Sequence, residues 1–175
     1  IKLATGLLTP TFGQVFVDNH PVGIASKRVV SYLPERTYLD KSIRVKDALK
    51  LFQEFYDNFD IIKAKQLIQD LGLSFDTRIA TMSKGMQEKL QLILVMSRNA
   101  KLYILDEPLG GIDPATRDYI LDTILSNFAS GATLLISTHL IADIERILDE
   151  VIFIDHGEII LTASADELRS EYQTS

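Results

Sequence analysis

The sequence contains no cysteine and no tryptophan among its 175 residues, and it has only three histidines. The missing cysteines exclude a disulfide scaffold and a zinc site built from thiolates. No apolar run approaches the roughly 18 residues that a membrane-spanning helix requires. Lysine and arginine total 18 against 24 acidic residues, which gives a net charge of −6. Because nucleic-acid-binding surfaces are basic, this surplus of acid predicts no nucleic-acid partner.

Short apolar runs alternate with helical patterns over much of the chain. The runs that are typical of strands lie at 29–33, 102–105, 133–137 and 151–155. Helical patterns fill two of the gaps, at about 114–129 and 140–148. Strands that are joined through helices pair in parallel, with helices covering the sheet. The pattern therefore predicts an α/β fold, followed by a hairpin that His156 and Gly157 close.

The segment from residue 45 to 99 is helical in pattern throughout. After a first helix, a second ends at Gly72, and a third runs from about Ser83 to Arg98. The third is apolar almost all round, which is typical of a buried helix. We predict one domain over 1–175, in which an all-helical subdomain at 36–98 is inserted into an α/β core formed by 1–35 and 99–175.

The first residues of the chain have a pattern of their own. Apolar residues at positions 1, 3, 4, 7 and 8 predict the end of an amphipathic helix. A Thr-Pro turn follows, and it leads into a predicted short strand at 14–17.

Two acidic residues in succession, Asp106 and Glu107, end the predicted strand at 102–105. Ligands of open α/β sheets bind outside the carboxyl ends of the strands. Adjacent strand residues point to opposite sides, so the two carboxylates can have different roles. One can hold Mg²⁺, and the other can reach a water that attacks a phosphoryl group. The alternative is that these residues and Pro108 simply begin a turn.

Three further segments have residue types that suit phosphate binding. Ser83 can cap the helix that follows, and a helix N-terminus beside Lys84 and Gly85 suits a phosphate, although an ordinary N-cap explains the pattern as well. His139 follows a predicted strand and can donate to a phosphate oxygen or be a solvated turn residue. Asp113 can cap a helix that has proline at its first position.

In their order and spacing these segments resemble the nucleotide-binding domain of ATP-binding-cassette (ABC) transporters over essentially the whole chain. The matching motifs, in chain order, are the Q-loop in Tyr32–Glu35, the signature loop in Ser83–Gln87, the Walker B strand in Leu102–Asp106, the catalytic glutamate at Glu107, the D-loop in Gly111–Asp113 and the switch histidine at His139. The resemblance implies a P-loop NTPase-like (RecA-like) fold, with a mostly parallel sheet and an inserted all-helical subdomain.

The resemblance also implies ATP and Mg²⁺ as cofactors. It implies that Asp106 and Glu35 hold the metal, that Glu107 orients or deprotonates the attacking water, and that His139 senses the γ-phosphate. The residues that it implies for ATP binding come from the signature loop, the D-loop and the Q-loop; they are Ser83, Lys84, Gly85, Asp113 and Glu35.

The family works as an assembly. The resemblance implies a head-to-tail homodimer, or a heterodimer with a second ABC ATPase subunit, that holds two ATP molecules at its interface. It further implies separate transmembrane permease subunits and a peripheral position on the cytoplasmic face of a bacterial membrane. The Ser-Lys-Gly-Met form of the signature loop is similar to that of small bacterial exporters, so we expect export.

The sequence also departs from the family pattern. The phosphate-cradling P-loop, G-x-x-x-x-G-K-S/T, is absent, and its expected place is immediately before Ile1. We expect that the N-terminal part of a normal domain is missing and that the 175-residue piece alone is inactive. The alternative is a protein that has lost nucleotide binding, but Glu107 and His139 are both retained. Glu35 and Lys84 stand where the family usually has glutamine and glycine.

Two other functions remain open at the level of sequence. One is an ABC-type ATPase that acts on ribosomes or DNA without membrane subunits. The other is a non-hydrolysing interaction module, if the P-loop is truly absent.

Overall fold

The structure is a computed structural model that describes residues 1–172. It divides into two compact units, of which the first spans Ile1–His139 and the second begins at Leu140. The subdomain boundaries that we predicted at residues 36 and 98 stay predictions. None of the helices within residues 1–172 combines the length and the apolar character that crossing a membrane requires.

The first unit contains a three-stranded parallel sheet that confirms three of the predicted strands. After a small antiparallel pair, β1 (Phe16–Val17) and β2 (His20–Pro21), the sheet strands are β3 (Val30–Leu33), β4 (Leu102–Asp106) and β5 (Thr133–Ser137). Their order is β3-β4-β5, with β4 in the centre. Tyr103, Ile104 and Leu105 are fully buried there. The register pairs Asp106 with Ser137, so the carboxyl ends of β4 and β5 lie side by side.

Five helices and a 3₁₀ turn complete the first unit. They are α1 (Ile24–Val29), α2 (Val45–Phe55), α3 (Ile61–Asp70), the turn Ile79–Thr81, α4 (Lys84–Met96) and α5 (Pro114–Asn127). Helices α2, α3 and α4 contact one another, and α4 also contacts β3. A hydrogen bond of 2.8 Å from the Ser31 hydroxyl to the Val95 carbonyl joins the sheet to the end of α4. Helix α4 is buried on both sides in this position, which explains why its sequence is apolar almost all round.

Arg98 joins the helices to the sheet just after α4. Its buried guanidinium stacks 3.8 Å from the centre of the Tyr56 ring. It donates hydrogen bonds to the carbonyls of Lys27, Arg28 and Val30 and to the Asn58 side chain. Burial lowers the pKa of this arginine from its usual range, although nearby tyrosines oppose the shift. One side chain therefore satisfies the end of α1, the start of β3 and the α2–α3 connection.

The second unit contains the predicted hairpin. Its elements are α6 (Ile141–Ile144), a 3₁₀ turn at Glu145–Ile147, β6 (Glu150–Asp155), β7 (Glu158–Ser164) and α7 (Ala165–Tyr172). Strands β6 and β7 pair antiparallel, with Asp155 opposite Glu158. His156 and Gly157 both have positive φ, at 47° and 85°, as a two-residue hairpin turn requires. The helix that we predicted at 140–148 is a short α6 followed by the 3₁₀ turn.

The chain start differs from its predicted helix. Residues 2–6 form turns, in which the Thr5 amide donates to the Ile1 carbonyl and the Gly6 amide donates to the Leu3 carbonyl. Gly6 has a φ of 72°, a left-handed conformation that ends a helical turn. Residues 1–8 therefore contain a helical turn in place of a regular helix.

Candidate functional site

Asp106 and Glu107 lie where β4 leaves the sheet. The Glu107 amide still donates to the Ser137 carbonyl at 2.9 Å, as a residue of the ladder would. However, Glu107 has a φ of 51°, which is uncommon for a residue with a side chain. This left-handed residue turns the chain sharply away from β4. Such outliers persist where the surrounding structure holds them, and they cluster at functional sites.

The Glu107 carboxylate receives hydrogen bonds from two consecutive residues after β5. Its Oε2 accepts from the Thr138 hydroxyl at 3.1 Å. Its Oε1 accepts from the His139 backbone amide at 3.2 Å and from His139 Nδ1 at 2.9 Å. Because an ionised carboxylate only accepts, Nδ1 carries the proton in this contact, and Nε2 is directed away from Glu107. The structure therefore brings together the acid and the histidine that the sequence predicted.

Asp106 lies between hydroxyl groups of the two neighbouring strands. The Ser137 hydroxyl of β5 donates to Asp106 Oδ1 at 2.5 Å. On the other side lies Tyr32 of β3. Burial is the main cause that raises the pKa of Tyr32, and the charge of Asp106 and a hydrogen bond to Asp106 raise this pKa further. Glu35 adds a smaller upward shift to the same tyrosine, so its charge acts on this end of the sheet although its side chain is exposed.

These residues fit a magnesium ion that takes most of its ligands from elsewhere. Among residues 1–172 there is no group of three acidic, histidine or cysteine side chains that could hold a metal by itself. Mg²⁺ is usually bound through one or two carboxylates, with waters and substrate phosphates as the other ligands. Asp106, half-buried and oriented by Ser137, suits that pattern.

The loop from Glu107 to Asp113 is held against α4. The Gly110 amide donates to the Glu107 carbonyl at 3.1 Å. The Glu88 carboxylate of α4 lies against Gly111, since a methyl group placed on that glycine would be 2.6 Å from Cδ of Glu88. Asp113 is the N-cap residue of α5, and its carboxylate accepts from the Thr116 hydroxyl at 2.6 Å. That hydrogen bond is the main cause of the lowered pKa of Asp113.

The predicted signature loop begins α4. The exposed Ser83 is its N-cap, and the Ser83 hydroxyl accepts from the Met86 amide at 3.2 Å. Lys84 is also exposed, and its Nζ lies 3.5 Å from a Glu88 carboxylate oxygen. A methyl group on Gly85 would meet nothing within 4 Å, so the helix start is open. At the end of the loop, the buried Gln87 side chain donates to the carbonyls of Ile79, at 3.3 Å, and Met82, at 3.0 Å. The segment lies on a different element from Asp106, Glu107 and His139.

Sequence reasoning missed the hydroxyl groups of this site. Ser137 and Thr138 directly precede His139, and the parallel register places Ser137 opposite Asp106. The signal that could have found them was two hydroxyl residues at the carboxyl end of a predicted strand.

Comparisons with known proteins find the family that the motifs resemble. The ABC transporter family profile matches residues 1–110, which is more than half of the 175-residue chain. A Nod factor export ATP-binding protein I from a Rhizobium species is 27% identical over 98% of this chain and 59% of its own length. A daunorubicin resistance ATP-binding protein from Streptomyces coeruleorubidus is 26% identical over 98% of this chain and 57% of its own length. The chain thus spans less than two thirds of these curated relatives.

A solved structure shows the same architecture. The ATP-binding subunit of an ABC transporter superposes with a TM-score of 0.87 and 25% identity, over 98% of this chain and 75% of that one. This likeness confirms the predicted P-loop NTPase-like fold with its parallel sheet and helices. Taken with the profile match over residues 1–110, it establishes that the chain belongs to the ABC transporter family.

Proposed function

We propose that the protein is the ATP-binding and ATP-hydrolysing subunit of an ABC transporter, and that it powers export through separate membrane subunits. The observation that carries this proposal is the contact of Glu107 with His139 at the carboxyl end of β4, beside Asp106. A carboxylate paired with a histidine at that edge of the sheet suits the activation of a water next to a phosphoryl group.

Each residue of the site then has a role in ATP hydrolysis. Glu107 orients or deprotonates the attacking water, and His139 presents Nε2 to the γ-phosphate while Nδ1 holds Glu107. Asp106 would hold Mg²⁺, and Glu35, in the loop after β3, would be a further metal or ATP ligand. When bound, Mg²⁺ neutralises phosphate charge.

The remaining predicted residues act across a dimer interface. In a head-to-tail homodimer or heterodimer, Ser83, Lys84 and Gly85 of one subunit contact the ATP of the other, and Asp113 lies at the same interface. Their support is the open, exposed start of α4, whose backbone amides and positive dipole end suit a phosphate. Hydrolysis removes the charge that holds the interface together, so the dimer opens.

The membrane partners are permease subunits on separate chains, and the ATPase lies on the cytoplasmic face of a bacterial membrane. The names of the relatives support export, because one is described by Nod factor export and the other by daunorubicin resistance. Those activities belong to the relatives.

The test is Glu107→Gln in the full-length gene product, purified with and without its membrane fraction. We expect ATP hydrolysis to fall at least about 100-fold, as loss of a general base does, while Mg-ATP still binds. Glu158→Gln, at an exposed position after the hairpin turn, is the matched control and should keep wild-type turnover. Unchanged turnover in the Glu107 variant would overturn its role.

Two other outcomes favour the alternative functions. Failure of the wild-type full-length protein to bind ATP would point to an interaction module. Co-purification with ribosomes or DNA and not with membranes would point to an ABC ATPase that acts outside transport.

A further inference from the structure

Both carboxylate oxygens of Glu107 are engaged by the segment that follows β5. Oε1 receives the two donors of His139, and Oε2 receives the hydroxyl of Thr138. The Glu107 side chain is 24% exposed, whereas that of His139 is 74% exposed. The contact between the Thr138 hydroxyl and Glu107 is part-buried.

Two separate anchor points determine the plane of a carboxylate. The last torsion of a glutamate is broad and roughly two-fold, so one hydrogen-bonded oxygen leaves the group free to rotate. A second donor on the other oxygen removes that freedom. Here the two anchors are Thr138 and His139, which are adjacent in the chain. The hydrogen bond from the Glu107 amide to the Ser137 carbonyl fixes their segment to the end of β4. The geometry therefore sets the carboxylate relative to the histidine and to the sheet.

We propose that Thr138 is a positioning residue for hydrolysis, and that its hydroxyl fixes the plane of the Glu107 carboxylate so that Oε1 stays with His139. This inference rests on the proposed ATPase function, but it concerns a residue to which that function assigned no role. A misplaced catalytic group lowers the rate of the chemical step more than it weakens substrate binding. Thr138 therefore affects kcat rather than KM.

The site offers a clean substitution for this test. Valine has the shape of threonine without the hydroxyl, and serine keeps the hydroxyl without the methyl group. Thr123 of α5 supplies a matched control, because its part-buried hydroxyl donates to the Tyr119 carbonyl at 2.8 Å within the helix. Replacing Thr138 by valine removes the hydroxyl that donates to Glu107, and replacing Thr123 by valine removes the hydroxyl that donates to Tyr119.

The experiment compares Thr138→Val, Thr138→Ser and Thr123→Val in the full-length protein. We expect Thr138→Val to lower kcat for ATP about tenfold with KM unchanged within about twofold, and Thr138→Ser to restore kcat to within about threefold of wild type. Thr123→Val should keep wild-type kcat. In a Glu107→Gln background, Thr138→Val should cause no further loss, because the group that it positions is already inactive.

Amide hydrogen exchange of His139 gives a readout that does not need catalysis. Its backbone N–H donates to Glu107, so a carboxylate that rotates away should leave this amide exchanging severalfold faster in Thr138→Val and unchanged in Thr123→Val. Equal kcat in the two valine variants, a serine variant as slow as valine, or unchanged His139 exchange would each overturn the positioning role. If the wild-type protein does not hydrolyse ATP, the proposed function fails together with the role of Thr138 in hydrolysis, and the exchange result then decides only whether the Thr138 hydroxyl fixes the Glu107 carboxylate.

Discussion

The hydroxyl of Tyr103 makes hydrogen bonds to three backbone groups in the core. The side chain is fully buried, and its hydroxyl donates to the Arg98 carbonyl at 2.5 Å. The same oxygen accepts from the amides of Ala100, at 3.2 Å, and Ala129, at 3.3 Å. The tyrosine therefore satisfies backbone groups at both ends of the segment between α4 and β5.

Replacing Tyr103 by phenylalanine should leave those buried groups unpaired. We expect the free energy of unfolding of the full-length protein to fall by about 1–3 kcal/mol, as measured by urea denaturation. Tyr119→Phe is the control, because Tyr119 is about half exposed and its hydroxyl donates to the Asp70 carbonyl at 3.2 Å. Water can replace this hydroxyl, so we expect the free energy of unfolding to fall by less than about 0.5 kcal/mol. Equal losses would contradict the hydroxyl's role.

The acids and the histidine of the site could be predicted from sequence, whereas the hydroxyl groups around them could not. Asp106, Glu107 and His139 each follow a strand that the apolar runs predicted, and such positions meet at one edge of a sheet. The bond from Thr138 to Glu107 depends on a side-chain rotamer and on the left-handed backbone of Glu107. A linear pattern does not encode either property.

At the scale of elements, α4 begins with a residue that has two possible roles. Ser83 is an N-cap in the structure and a phosphate ligand in the proposed dimer. Aspartate caps a helix about as well as serine does, but it brings a negative charge to the site where the phosphate would lie. Alanine loses the cap and the hydroxyl together, but it adds no charge that would repel the phosphate.

We therefore expect the two substitutions at Ser83 to separate the roles. Ser83→Ala should lower the free energy of unfolding by about 1 kcal/mol, and Ser83→Asp should change it by less than about 0.5 kcal/mol. ATP-dependent association, measured by sedimentation in a Glu107→Gln background, should be lost in Ser83→Asp. Asp60→Ala removes the N-cap of α3, so it should lower the free energy of unfolding about as much as Ser83→Ala does and leave association intact. Association of Ser83→Asp at wild-type level would leave Ser83 as a cap only.

The elements that the sequence predicted well are the long or buried ones. Helices α2, α3 and α4 have ten or more residues with a repeating apolar pattern, so periodicity found them. The six-residue α1 is too short for that signal. The overlooked α7 had a usable one: Ser164 and Glu167 exchange side-chain and backbone hydrogen bonds at its start, as the spacing of a capping box predicts.

At the scale of the whole molecule, the many acidic residues make the stability of the fold depend on pH, and the aspartates that contribute lie in the first unit. Four exposed aspartates have lowered pKa values there, and they fall into two classes. In the first class a lysine is the main cause of the lowered pKa. Lys101 Nζ lies 2.8 Å from a carboxylate oxygen of Asp18, and Lys46 Nζ lies 2.6 Å from one of Asp76. Hydrogen bonds from uncharged donors lower the other two, from Ser42 to Asp40 and from Thr116 to Asp113.

A carboxyl whose pKa is lower in the folded state stabilises the fold fully above its unfolded pKa, and this contribution is lost as the pH falls through the folded pKa. We therefore expect the free energy of unfolding to decrease below about pH 4, near the ordinary value for aspartate. Urea curves between pH 3 and 6 measure this change. Salt screens the lysine-dependent shifts and leaves the hydroxyl and amide hydrogen bonds intact, so about 1 M salt should reduce the acid sensitivity only in part. The double variant Asp18→Asn and Asp76→Asn should lose that salt-sensitive part and keep the rest, and complete loss of acid sensitivity in this variant would contradict the contribution of Asp40 and Asp113.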